Sequence, residues 1–289
     1  MNTLLYLSYG RGPHEKEVAF SALSAYRSEK PGDSYRILIY TDHPESFEDL
    51  PAGIHYVSPE QWIAWAGPQN FNHRRKILAL QHALACGEGP VVLLDGDTWL
   101  RRPVDRLFER VSPGRTVMHI REGRVSEVDT PLYCSLKEVL MRSRLMDRHA
   151  RSFGITPHSF MWNAGVIGLD PADAGLLDTV LDLTDQLCNV SELHVLEQFA
   201  FSWVLAKETH LTEAADLVFH YWPPYLHVPF RASLVELFVA AGAMPLDQRV
   251  EFLFSHRPQP TWARRTKVIA KRILQMAGFI QGRCRSNEW

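Results

Sequence analysis

An α/β fold, with a mostly parallel central sheet flanked by helices, is what this sequence predicts. Three observations carry that reading. Residues 2–100 alternate short apolar runs with amphipathic stretches, which is the pattern of βαβ units with right-handed crossovers. The run Val91-Val92-Leu93-Leu94 is apolar throughout, as expected of a strand buried on both faces. Of the 289 residues, 46% are hydrophobic and 22% charged, and no repeat or low-complexity tract interrupts them, so one large globular domain fits the chain.

Taken in order, Asn2–Tyr9 reads as the first strand, closed by the turn Gly10-Arg11-Gly12-Pro13. Glu15–Glu29 follows as a helix with Val18, Leu23 and Tyr26 pointing inward, and Pro31-Gly32-Asp33 marks the next turn. Tyr35–Tyr40 is the second strand and runs into Thr41-Asp42; Ile54–Val57 is a short third. Arg74–Cys86 has helical spacing, with Ile77, Leu80 or Leu78, Leu84 and Ala85 as its apolar face, and Gly87-Glu88-Gly89-Pro90 stops it. Beyond the Val91–Leu94 strand the pattern is more mixed. Thr116–Ile120 and Phe160–Leu169 read as strands, and Leu132–Arg151, Ala172–Cys188 and Glu192–Lys207 as helices. Trp222-Pro223-Pro224 reads as a loop. The expected domain spans residues 1–258, with a tail over 259–289.

A formal net charge of −2 argues against a nucleic-acid partner. The 4 cysteines form no Cys-x-x-Cys pair, so a zinc knuckle is not expected. The amino terminus carries neither a basic leader nor a long apolar run, and a cytoplasmic location is the expectation.

Chemistry enters at Asp95-Gly96-Asp97. A bare carboxylate in an apolar layer is very costly, so the Val91–Leu94 strand must deliver both side chains to a polar place at its carboxyl end. In open α/β sheets that edge is where ligands bind. Two neighbouring anions repel, and a divalent cation relieves the repulsion.

Here the chain resembles the GT-A fold glycosyltransferases, and is most similar to the retaining, UDP-sugar-using group that includes glycogenin and bacterial lipopolysaccharide galactosyltransferases. The family's Asp-x-Asp motif implies Asp95 and Asp97 as ligands of Mn2+ (or Mg2+) on a sugar-nucleotide diphosphate. Phe160-Met161-Trp162-Asn163-Ala164-Gly165-Val166 resembles the family's Phe-Asn-(Ala/Ser)-Gly-Val strand, implying that Asn163, Ala164 and Gly165 lie against the sugar. Glu197-Gln198 resembles the acidic-Gln pair near the donor sugar, with Glu where the relatives have Asp; it implies Gln198, and beside it Glu197, at the reacting face. Val218-Phe219-His220 resembles the late motif whose His is the third metal ligand, and His256, after a second apolar run, competes for that role. The lysine that follows in the relatives is missing here, and Arg231 is its candidate substitute. The family's basic residue near the donor is Arg75 or Lys76, while Ser8, Tyr9 and Asp42 fall at strand ends where the fold cradles the nucleotide.

The resemblance implies transfer of a hexose from a nucleotide-sugar donor, a UDP-sugar in the family's manner, to a carbohydrate or lipid-linked saccharide acceptor. Two alternatives share the fold: a nucleotidyltransferase, and a catalytically degenerate nucleotide-sugar-binding protein. A haloacid-dehalogenase phosphatase fits less well, because Trp99 stands where its motif needs Thr or Val. From Trp262 to Arg285 the tail carries seven basic residues and no acid, with Ile269, Ile273, Met276 and Ile280 at helical spacing. A basic amphipathic helix of that kind fits an anionic membrane surface, which would make the protein peripheral to the inner face of the membrane.

Overall fold

A computed structural model describes residues 1–28, 34–147 and 151–258. The elements run β1 (Asn2–Ser8), α1 (His14–Ser28), β2 (Tyr35–Thr41), β3 (Gly53–Tyr56), α2 (Pro59–Ala66), α3 (Arg74–Cys86), β4 (Val91–Leu94) and β5 (Thr98–Leu100). Then come α4 (Asp105–Phe108), β6 (Arg115–Met118), β7 (Arg121–Arg124), α5 (Pro131–Arg142), β8 (Phe160–Trp162) and β9 (Val166–Leu169). The described chain closes with α6 (Leu176–Cys188), α7 (Leu196–Glu208), β10 (His210–Glu213), β11 (Val218–His220), α8 (Pro224–Ala241) and α9 (Leu246–His256).

Seven strands form the central sheet in the order β10-β6-β9-β4-β1-β2-β3. Only β9 runs against its neighbours β4 and β6; the other pairings are parallel. The expected α/β architecture, a mostly parallel sheet between helical layers, is therefore present. Apolar side chains on the two faces of the sheet feed two separate cores. Leu5, Val91 and Leu93 pack on the side of α3, α6 and α7, whereas Leu4, Tyr6, Val92 and Leu94 pack on the side of α1, α8 and α9. Burial on both faces is why β4 reads as a continuous apolar run rather than an alternating one.

Several expected boundaries shift for local reasons. The strand expected over Phe160–Leu169 is two strands: β8 pairs with β7 and β9 with β4 and β6, with a turn at Asn163–Gly165 between them. The helix expected over Leu132–Arg151 is α5, which stops at Arg142, where Ser143 turns extended; residues 148–150 lie outside the described ones. A 3-10 turn, Pro171–Asp173, precedes α6, and α7 begins at Leu196 rather than Glu192. Ala85, expected on the apolar face of α3, is exposed, while Leu80 is buried.

The loop expected at Trp222-Pro223-Pro224 is shorter than its composition suggests. Pro224 is the first residue of the 18-residue α8, a position whose N–H needs no intrahelical partner. Phe230 of α8 stacks on Trp99, and Phe254 of α9 on Phe20, so both helices close the core beside β5. Among the described residues no helix is long and apolar enough to cross a membrane. The basic tail lies outside them.

Candidate functional site

The Asp-Gly-Asp turn follows β4 at the carboxyl edge of the sheet. Its backbone is fixed from both sides: Asp95 N–H donates to Gly165 O at 3.0 Å, and Thr98 Oγ1 donates to Asp95 O at 2.7 Å. Ser21 of α1 meets Thr98 Oγ1 at 2.9 Å, which ties the helix to the turn. Gly96 is needed for this approach and not for an unusual φ. A Cβ there would lie 2.9 Å from Val18 Cγ2 and 3.3 Å from Val18 N.

His220 arrives from 123 residues away through a two-stranded ribbon. Antiparallel pairing of β11 with β5 sets His220 opposite Thr98, and Tyr221 N–H donates to Asp97 O at 3.0 Å. One ligand atom each from Asp95, Asp97 and His220 then lies within 4.8 Å of the others, a group able to hold a metal ion. His220 Nε2 is 3.1 Å from Asp97 Oδ1, and its Nδ1 is 2.8 Å from Asn163 Oδ1. Burial raises the Asp97 carboxyl, but the opposing His220 more than offsets it and holds the group at about 2. His256, the competing third ligand, sits exposed on α9 with its Nδ1 2.9 Å from Phe252 O and takes no part in the group.

Asn163, Ala164 and Gly165 form the turn that joins β8 to β9. Asn163 Oδ1 accepts from Gly165 N–H at 3.0 Å, and Asn163 Nδ2 donates to Glu122 Oε1 at 3.1 Å. Gln198 Oε1 accepts from Ala164 N–H at 3.3 Å, and its Nε2 donates to Glu122 Oε2 at 3.2 Å. The His220 ring occupies the space over Gly165, where a Cβ would meet Nδ1 at 2.2 Å. The absence of a side chain at Gly165 thus makes room for the imidazole.

On α3, Lys76 and Arg75 do different things. Lys76 Nζ lies 2.7 and 2.8 Å from the two Asp95 oxygens and 3.6 Å from Glu197 Oε1. Burial depresses the amine, but Asp95 and Glu197 outweigh it and hold it above its ordinary value. Glu197 is 2% exposed, and its carboxylate lies between that ammonium and His73 Nδ1, 3.9 Å away. Arg75 stacks its guanidinium 4.2 Å over the Tyr9 ring and donates from Nε to Trp62 O.

Tyr9, Arg75, Lys76, Asp95 and Asp97 line a cleft of ≈ 410 Å³ together with His14, Glu17, His227 and Arg231. Within this lining, Arg231 and His227 of α8 pair with the buried Glu17 of α1 at 2.6 and 2.9 Å. Asp42 accepts from Gly10 N–H at 2.9 Å and so fixes the turn after β1, whereas Ser8 is buried beneath it.

Sequence reasoning missed Glu122, His119, Glu17 and His227. Glu122 lies in the polar strand β7, which has no apolar pattern to mark it. His119 is 4% exposed; its Nε2 meets Val218 O at 3.2 Å, its buried Nδ1 has no hydrogen-bond partner, and its ring is 5.2 Å from that of His220. Burial, and then His220, push it down to about 3. No protein-family model matches this chain, and no curated protein matches it either.

Proposed function

We propose that the protein is a GT-A-type glycosyltransferase that moves a hexose from a nucleotide-diphosphate sugar, a UDP-sugar first among them, to an acceptor hydroxyl. The observation that carries this reading is the convergence of His220 on Asp95 and Asp97, two carboxylates that line a cleft together with Arg75, Lys76 and Arg231. Two carboxylates and an imidazole suit Mn2+ better than the all-oxygen sites of Ca2+, with Mg2+ as the second candidate. A bound divalent cation supplies charge that stabilises the departing diphosphate.

The chain's own residues do the rest in this account. Lys76 pairs with Asp95 and Glu197, and Arg231 and His227, which line the same cleft, offer donors to phosphate oxygens. Tyr9, with Arg75 beneath it, offers a flat face for a base. Gln198 takes the reacting face of the sugar, held in place by Ala164 and Glu122. The acceptor is a carbohydrate or lipid-linked saccharide, and the basic tail brings the enzyme to an anionic membrane surface.

A panel of UDP- and GDP-sugars incubated with the protein and Mn2+ tests the reading. Release of the free nucleoside diphosphate from one donor, stopped by EDTA, is expected. Release of pyrophosphate would instead identify a nucleotidyltransferase, and tight nucleotide binding with no turnover of any donor would identify a binding protein.

A further inference from the structure

We infer that the outer face of α8 is a bilayer-contact surface that acts together with the basic tail. The helix is apolar nearly all round: between Pro224 and Ala241 its only formally charged residues are Arg231 and Glu236. One face, with Phe230, Leu234 and Ala241, is buried in the core. On an ordinary surface helix the opposite face is polar. Here it carries Tyr225, Val228, Ala232, Val235 and Val239, at alternating spacings of three and four, with Val228 65% and Val239 77% exposed. That spacing sets them in one stripe along the helix, and a contiguous exposed apolar stripe marks a contact site. Its extent selects the partner. From Tyr225 to Val239 the stripe is about 21 Å long and one side chain wide, on the order of 200 Å². A stable protein–protein interface needs roughly 800 Å² from each partner, so a second copy is poorly served by it.

A lipid surface asks only for a shallow apolar band with aromatic rings and cations at its edges. Trp222 and Tyr225 stand at the amino-terminal end of the stripe, 38% and 46% exposed. Lys16 of α1 rests its ammonium 5.4 Å over the Phe238 ring, and with Val235, Val239 and Arg249 it lines a groove of ≈ 240 Å³. Further charge comes from the chain's end. Phe20 of α1 holds Phe254 of α9 at 4.5 Å and Phe230 of α8 at 5.7 Å, so the last turns of α9 lie beside the middle of α8. Residues 259–289 follow, and from Trp262 to Arg285 their sequence has seven basic residues and no acid. One shallow stripe alone gives marginal, reversible binding, and attraction of the tail to anionic headgroups supplies the second term. His227 and Arg231 of the same helix line the cleft. Docking through the stripe therefore holds the cleft within about 10 Å, one helix diameter, of the headgroups. With the proposed glycosyl transfer, on which this last step alone rests, that selects a lipid-linked saccharide over a free one as acceptor.

Co-sedimentation of the full-length protein with vesicles of phosphatidylcholine and phosphatidylglycerol, at a ratio of about 3:1, tests the surface without any sugar nucleotide. The double variant Val228→Gln/Val239→Gln removes apolar area but no charge, and should weaken partitioning about 10-fold. Met141→Gln, at a comparably exposed site on α5, should change it by less than about twofold. Equal partitioning of wild type and double variant would overturn the inference. So would a lipid-free dimer that the double variant dissolves, because the stripe would then belong to a second copy. Hydrogen exchange in the wild type needs no variant to fold. Vesicles should slow it over residues 222–243, and slowing confined to residues after 258 would overturn the inference. Intact vesicle binding with no turnover of any sugar nucleotide would leave the surface standing, and would remove the proposed function and the acceptor assignment with it.

Discussion

The stretch from β1 to β4 and the stretch from β5 to α9 build the site in different ways. In the first, β1, β2 and β3 lie side by side through one helix and one short turn, and the chain then crosses back through α2 and α3 to pair β4 with β1; it supplies Asp95 by simple extension of β4 and Lys76 at the start of α3. In the second, the functional groups meet only through distant pairings: His220 through β11 on β5, Asn163 through the turn before the reversed strand β9, and Glu122 through β7 on β8. The comparison teaches that the carboxylates belong to the locally built half, whereas their cation-binding geometry is imposed by the other.

The two glycines at the seam test that division most severely. Gly165→Ala forces a Cβ against the His220 ring, and we expect a loss of about 3 kcal/mol in stability and of about 100-fold in Mn2+ affinity, read by urea denaturation and metal titration. Gly96→Ala presses instead on Val18, a side chain of the locally built half. It should cost about 1–2 kcal/mol while metal affinity in the folded fraction changes far less. Equal effects on metal affinity would erase the distinction.

The imposed half also carries a pH signature. His119 sits beside His220 with its folded value near 3, below the ordinary 6.5. A group whose folded value is depressed takes up its proton more readily when unfolded. Its contribution to stability is therefore present above about 6.5 and is lost as pH falls from there toward 3. Denaturation midpoints across that window should fall less steeply in His119→Gln, and unchanged slopes would contradict the burial argument. The smallest expected effect lies outside both halves. Removing residues 261–289 should abolish sedimentation with anionic vesicles while leaving Mn2+ affinity unchanged, and equal sedimentation by the shortened chain would reject the membrane role.

How much could be read from the sequence follows the same line. In the first half, strand and helix periods coincide with local connections, so β1, β2, α3 and β4 lie within a residue or two of their expected bounds. In the second, β7, β10 and β11 are short, and β7 and β10 largely polar; their strand character comes from partners far along the chain, which no local period encodes. The break at Asn163–Gly165 was hidden because both flanking strands are apolar, and α8 because Pro223 precedes it, Pro224 begins it and Pro229 lies inside it. Among the site residues, Asp95, Asp97 and His220 converge as expected, while Glu122 left no trace in any motif.

The central claim is that Asp95, Asp97 and His220 hold a divalent cation that in turn holds a diphosphate. Thermal unfolding with UDP, in the presence of Mn2+ or of EDTA, tests it most directly in the wild type and in Asp97→Asn. Ligands that bind only the folded state raise the transition temperature. The account predicts that UDP protects the wild type only when Mn2+ is present, and that Asp97→Asn remains folded but loses the protection. Equal protection by UDP in EDTA, or full Mn2+-dependent protection in Asp97→Asn, would contradict it.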